Sequence, residues 1–268
     1  MSGGMTNPID STFAALADRG EKALIAYIMA GDPSIQKTVA YAKALAEGGA
    51  DIIELGMPFS DPIADGPVIQ RAAQRALGSG TNIRRIFEAV RTFRKASAVP
   101  VILMGYVNPV IKYGAGNFFR DAASSGVSGV ILPDVPLEES GLLRDHADIA
   151  DIHVIMLAAP TSGRRRLLQL ARNTQGFLYY ISLTGVTGSS KEINSAVFGD
   201  IAWVRERTRV PVAVGFGIST PEQAGRAAVV ADGIVLGSAF VKLVEDHPDA
   251  SNSLHTLAHA IKSAIRRG

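Results

Sequence analysis

Short runs of apolar, often β-branched residues recur along the chain, separated by longer stretches whose apolar positions return every three or four residues. Eight such runs stand out: "ALIAYIMAG" (23–31), "DIIELGM" (51–57), "VPVILMGY" (99–106), "GVSGVILPD" (126–134), "IHVIMLAAP" (152–160), "GFLYYISLTG" (176–185), "VPVAVGFG" (210–217) and "DGIVLGSA" (232–239). They are apolar at consecutive positions, as strands covered on both faces require, and they lack the strict alternation of a half-wet sheet. The stretches between them, among them 34–49, 81–97, 163–174 and 220–230, have the spacing of amphipathic helices. Their punctuation agrees: Asp32 or Ser34 can cap the first, Ser219 or Thr220 with Pro221 opens the last, and Gly48 and Gly49 stop the first ahead of the second strand. Helices that return parallel strands give either an open doubly wound sheet or a closed barrel. Eight β-α units in 268 residues favour the closed form, an α/β single-domain (β/α)8 TIM barrel over residues 1–268, with residues 1–9 expected to be a flexible extension.

Composition narrows the function. Hydrophobic residues make up 47% of the chain, enough for one large core, and the formal charge is only +2. The short basic runs "GRRR" (163–166) and "IRRG" (265–268) are better solvated helix ends than a nucleic-acid surface. With no cysteine there is no disulfide, no thiolate metal site and no thiol nucleophile. No apolar run is long enough for a membrane span and no signal or transit peptide pattern is visible, so a cytoplasmic location is expected, or a plastid one for a plant chain.

A barrel of this kind carries its active site on the loops that follow the strands. Those loops hold Asp32, the acid-rich stretch "ELGMPFSDPIADGP" (54–67), Asp134, "LTGVTGSS" (183–190), "GFGIS" (215–219) and "LGSA" (236–239). The last two could cradle a phosphate, since glycines let backbone N–H groups approach an anion and helix starts carry partial positive charge. Tight turns that merely need glycine are the alternative. In the second run, alternation puts Ile53 and Leu55 under the helices and turns Glu54 into the barrel, where burial raises a carboxyl's pKa and suits it to acid/base chemistry. A structural glutamate held by backbone donors is the competing reading, as turn chemistry is for Asp61 and Asp65. Schiff-base chemistry needs a lysine at a C-terminal strand end, and none of the eight lysines sits at one. The histidines lie on helix-like stretches, at a strand start or after the last strand; His255 and His259 share a helix face far from the barrel mouth, as a surface pair. Carboxylate catalysis on a phosphorylated small molecule is what remains.

"ADIIELGMPFSDPIADGPVIQ" (50–70), with "AYIMAGDP" (26–33), "LPDVPLEES" (132–140), "YYISLTGVTG" (179–188) and "VGFGISTPEQ" (214–223), resembles the tryptophan synthase alpha subunit family over about residues 10–265. The resemblance implies cleavage of indole-3-glycerol phosphate to indole and glyceraldehyde 3-phosphate by a carbon-carbon lyase. It casts Glu54 as the acid/base and Asp65 as the acceptor of the indole N–H. Tyr27 and Met104 fall at indole contacts where other members carry Phe or Leu, Tyr179 near the reacting centre, and Gly188, Gly217, Gly237 and Ser238 at phosphate contacts. Thr187 falls in a lid, and Leu183 stands where some members have Arg. The resemblance further implies a beta subunit partner in an alpha-beta-beta-alpha complex, contacted through Asp61 and through Asn108 and Pro109 of "NPVIKYG" (108–114). No cofactor is expected in this chain; pyridoxal phosphate would belong to the partner. A stand-alone lyase, a non-catalytic allosteric module and a different sugar-phosphate barrel enzyme are the other readings.

Overall fold

The apolar runs form one parallel sheet: β1 (Ala23–Met29), β2 (Ile52–Gly56), β3 (Val101–Met104), β4 (Val127–Ile131), β5 (His153–Val154), β6 (Leu157–Ala158), β7 (Leu178–Ile181), β8 (Val212–Gly215) and β9 (Gly233–Leu236). The computed structural model describes residues 6–181, 195–215, 217–247 and 249–266. The sheet order is β5-β4-β3-β2-β1-β9-β8-β7-β6, so its two ends are the two halves of the single run at 152–160. Ile155 N–H donates to Val130 O at 3.0 Å and Tyr179 N–H to Met156 O at 3.0 Å, which carries the chain from one neighbour to the other and closes the barrel. One strand was expected over this run. Closure divides it, because its first half pairs with β4 and its second with β7.

Around the sheet lie α1 (Pro8–Asp18), α2 (Ile35–Glu47), α3 (Pro67–Gly78), α4 (Ile83–Arg94), α5 (Val107–Tyr113), α6 (Ala115–Ser125), α7 (Gly141–Ile149), α8 (Gly163–Asn173), α9 (Ser195–Arg205), α10 (Pro221–Ala228), α11 (Ser238–Asp246) and α12 (Ser251–Ile265). Ser34 caps α2 and Thr220 caps α10 through a reciprocal box with Gln223. Asp32, the other capping candidate, is buried and instead bonds the Arg75 guanidinium through both oxygens at 2.8 Å. "GRRR" does open a helix, α8, where Arg164 lies over the Trp203 ring and Arg166 pairs with Glu138. His255 and His259 stack on the exposed face of α12.

The N-terminal expectation needs correction at residues 7–9. Asn7 is buried; its side chain accepts from Ile9 N–H and donates to Ser128 O and Asp151 O, capping α1 across the bottom of the barrel. Ile9, Phe13 and Leu16 complete the inner core, with Phe13 against Phe177 at 5.5 Å between centroids. A segment holding that much apolar surface out of water is part of the fold, not an extension.

Two apolar layers result. Ile53, Leu55, Leu103 and Val130 face outward to the helices, while Ile25, Ile52, Ile102, Ile131, Ile155 and Val235 fill the interior. Glu54 shares the inner face, level with Tyr27 on β1 and Ile102 on β3.

Candidate active site

A cavity of about 280 Å³ opens at the C-terminal ends of the strands and is lined by Tyr27, Glu54, Asp65, Ile69, Met104, Tyr179, Gly217, Ile218, Ser219, Val235, Gly237 and Ser238. It lies where strand alternation and the βα loops converge. Two glycines make its floor possible. A Cβ on Gly56 would stand 2.2 Å from the Tyr27 hydroxyl, and one on Gly215 would stand 2.6 Å from that of Tyr179. The two rings occupy space that any larger residue at these inward positions would take, and they flank Glu54.

Glu54 is fully buried, and neither carboxyl oxygen has a hydrogen-bond partner among the described residues. Without compensating donors, burial penalises its charged form and pushes its pKa up to about 8. Among the described residues, the backbone donors that a structural glutamate would need do not reach it. A neutral carboxyl at pH 7, held on a rigid strand and facing a cavity, is equipped to deliver a proton and then take one back.

Asp65 arrives by another route. It sits between β2 and α3 in the "PFSDPIADGP" segment and is half-buried. Burial raises its pKa and a hydrogen bond from the Tyr106 hydroxyl pulls it back down. That hydroxyl also accepts the Ala64 N–H at 3.0 Å, and Phe59 packs on the Tyr106 ring at 5.3 Å between centroids. Tyr106 itself is buried, which is the main reason its own pKa is pushed up to about 12.

One wall of the cavity brings together a helix start and a hydroxyl. Gly237 and Ser238 line the cavity at the start of α11, and among the described residues no side chain caps that helix, which leaves its first-turn N–H groups available at this wall. The start of α10 differs, because Thr220 and Gln223 already serve it. Gly217, at φ +76°, lets the β8 loop turn back over the same wall.

The cavity thus gathers Tyr27, Glu54, Asp65, Met104, Tyr179, Gly217, Gly237 and Ser238 from the sequence reading. Thr187, Gly188 and Leu183 lie outside the described residues. Asp61 is exposed at the tip of the loop that carries Asp65, and Asn108 and Pro109 begin α5; none of the three lines the cavity. Asp134 is a helix anchor: both its oxygens accept Val107 N–H at 3.1 Å. Ile69, Ile218, Val235 and Tyr106 were not foreseen. The Ile69 and Tyr106 positions belong to α3 and to the start of α5, elements inserted beyond a simple β-α repeat. Among the described residues no His, Asp and Glu cluster could hold a metal ion, and no helix is long and apolar enough to cross a membrane.

Comparisons with known proteins fit this geometry. The family profile described as "Tryptophan synthase alpha chain" matches residues 13–266. The chain is 46% identical over 260 residues to the tryptophan synthase alpha chain of Geotalea daltonii, covering 97% of this chain and 98% of that one. The Geobacter sulfurreducens protein of the same name is 47% identical over 259 residues, covering 96% and 98%. Among solved structures, tryptophan synthase subunit alpha from Legionella pneumophila superposes with a TM-score of 0.90 at 36% identity, covering 98% of this chain and all of that chain. A chain of Mycobacterium tuberculosis tryptophan synthase gives a TM-score of 0.89 at 34% identity, covering 97% and 98%. With its barrel and nearly its whole length matched, the chain belongs to the tryptophan synthase alpha chain family.

Proposed function

We propose that this chain is a carbon-carbon lyase that splits indole-3-glycerol phosphate into indole and glyceraldehyde 3-phosphate. The observation that carries the reading is the fully buried Glu54 carboxyl, without a hydrogen-bond partner among the described residues, beside the same cavity that Asp65 and the α11 start also line. Glu54, protonated at rest, gives its proton to the indole C3. The ring nitrogen becomes cationic and Asp65 stabilises it while accepting its N–H. The Glu54 carboxylate then takes the proton of the adjacent glycerol hydroxyl. That oxygen forms the aldehyde, the C–C bond breaks, and its electron pair restores the neutral indole. Glu54 ends as it began, protonated. Gly217, Gly237, Ser238 and the first turn of α11 hold the phosphate; Tyr27, Met104 and Tyr179 hold the ring and the reacting centre; Gly188 and the lid residue Thr187 complete the reading.

This cycle requires no cofactor in this chain, and pyridoxal phosphate is assigned to a beta subunit partner in an alpha-beta-beta-alpha complex. Support for the docking face comes from Ile63 and Ile111, large apolar side chains that are 84% and 60% exposed next to Asp61 and to Asn108 and Pro109. A cytoplasmic setting for tryptophan biosynthesis completes the proposal. The test is indole release from indole-3-glycerol phosphate by the purified chain, alone and with a tryptophan synthase beta subunit. Release that depends on both acids supports the reading; no release in either setting overturns it.

A further inference from the structure

We propose that Arg75 is a positioning residue that sets the span between two walls of the cavity, the one that holds the ring and the one that holds the phosphate; the inference rests on the function proposed above. Arg75 does not line the cavity, but its guanidinium joins three elements that do. Its Nε and one terminal nitrogen bond the two oxygens of Asp32, in the loop after β1, each at 2.8 Å, and its other terminal nitrogen bonds Glu245 of α11 at 2.9 Å. Arg71, one turn earlier on α3, donates to both oxygens of the same Glu245 at 2.7 and 2.8 Å. Each of the three elements sends a residue into the cavity: β1 sends Tyr27, α3 sends Ile69, and α11 begins with Ser238.

The placement of Glu245 argues for a device that fixes alignment. Helix α11 ends on Glu245 and Asp246 and has no basic residue in its last turn, so its negative pole carries charge of the same sign. Arg71 and Arg75, one turn apart on α3, answer that charge from outside the helix. On the far side of the same guanidinium, Asp32 is only 3% exposed. Ion pairs taken out of water in this way are often replaceable by apolar side chains without loss of stability, and their best-attested use is to fix one register of the parts they join. Apolar packing of Phe240, Val241 and Val244 holds α11 to the barrel, yet such contact is non-directional. The planar fork of Arg75, held on one side by Asp32, gives Glu245 a single seat. With that seat fixed, the start of α11 keeps one distance from Tyr27 and Ile69. A ligand that touches one wall is indifferent to that distance, whereas a ligand that bridges both depends on it.

Two mild variants test this. Arg75→Lys keeps the charge and loses the fork, and Glu245→Gln keeps the shape of its side chain and loses the charge. In each, affinity for glycerol 3-phosphate, which reaches the phosphate wall alone, should stay within about twofold, while affinity for a non-cleavable indole joined to a phosphate through three carbons should fall about tenfold, both read by calorimetry. The kcat/KM for indole-3-glycerol phosphate should fall by a similar factor. Combined, the two substitutions should cost no more than the worse single one, since both act on one tie. Equal weakening of the two ligands would mean a generally loosened site and overturns the inference, as does unchanged or tighter binding of the bridging ligand. Both affinities are read without turnover, so a wild-type chain that releases no indole overturns the functional reading instead, and the two failures are told apart.

Discussion

Glu54 and Asp65 face one cavity but are held in opposite ways. Glu54 is fixed by a parallel strand whose neighbours on both sides are also buried, and no donor reaches its oxygens among the described residues. Asp65 hangs from an exposed loop, half-buried, next to Ala64, whose N–H the Tyr106 hydroxyl accepts. The strand supplies a carboxyl whose protonation is set by desolvation; the loop supplies one that stays half-buried among exposed neighbours. A reaction that needs a proton donor and a separate stabiliser of positive charge can use the two without their becoming interchangeable.

Substitution of either acid should expose this division. Glu54→Gln removes both proton transfers and should lower kcat by about 10³-fold, with glycerol 3-phosphate binding retained, as measured by single-turnover indole release. Asp65→Asn leaves the proton donor in place and removes only charge stabilisation, so a loss of about 10²-fold is expected in the same assay. If Asp65→Asn proved the more damaging, the assignment of roles would be reversed. The floor comes next. Gly56→Ala drives a methyl into the Tyr27 hydroxyl and should cost about 1–3 kcal/mol of stability in denaturant unfolding, while Gly66→Ala, where a Cβ meets nothing within 4 Å, should fall well below that. The smallest effect is expected at the phosphate wall. Ser238→Ala removes one hydrogen bond of several and should raise KM up to about tenfold with kcat nearly unchanged.

The pH profile carries the same contrast. Activity requires Glu54 protonated and Asp65 ionised, so kcat/KM should fall on the alkaline side near pH 8 and on the acid side above the ordinary aspartate value. Replacing Asp65 with Asn should abolish the enzyme's acid limb and leave the alkaline one.

What the sequence revealed follows the same physics. Glu54 was legible because a period-two strand with Ile53 and Leu55 outward leaves it only one direction to face. The cavity wall proposed for the phosphate was marked in the sequence by its glycines, though preferring α11 to α10 needed the caps to be seen: Thr220 serves one helix start, and among the described residues no side chain caps the other. Helix α1 was missed despite Asn7 and Pro8 at its start, because a cap is recognisable only once its carbonyl partners, Ser128 and Asp151, are brought from more than a hundred residues away. Tyr106 carried no local signal at all. Its contacts with Phe59 and Ala64 arise where the end of β3 and the loop after β2 meet, and no spacing along the chain encodes that meeting.

The central claim is that Glu54 waits as a neutral acid, and its proton can be weighed through stability. Below about pH 4.5 the carboxyl is protonated in both folded and unfolded chains, so it imposes no penalty. As pH rises toward 8 the unfolded chain loses that proton while the folded chain keeps it, which costs the native state about 1.4 kcal/mol per pH unit. Above that range both are ionised and the penalty is constant. Unfolding free energies of wild type and Glu54→Gln, measured by denaturant from pH 4 to pH 9, should therefore diverge in favour of the variant, by roughly 3 kcal/mol at pH 7. A difference that stays flat across that range would contradict the account, because it would mean that Glu54 is ionised at rest and cannot begin the reaction as the donor.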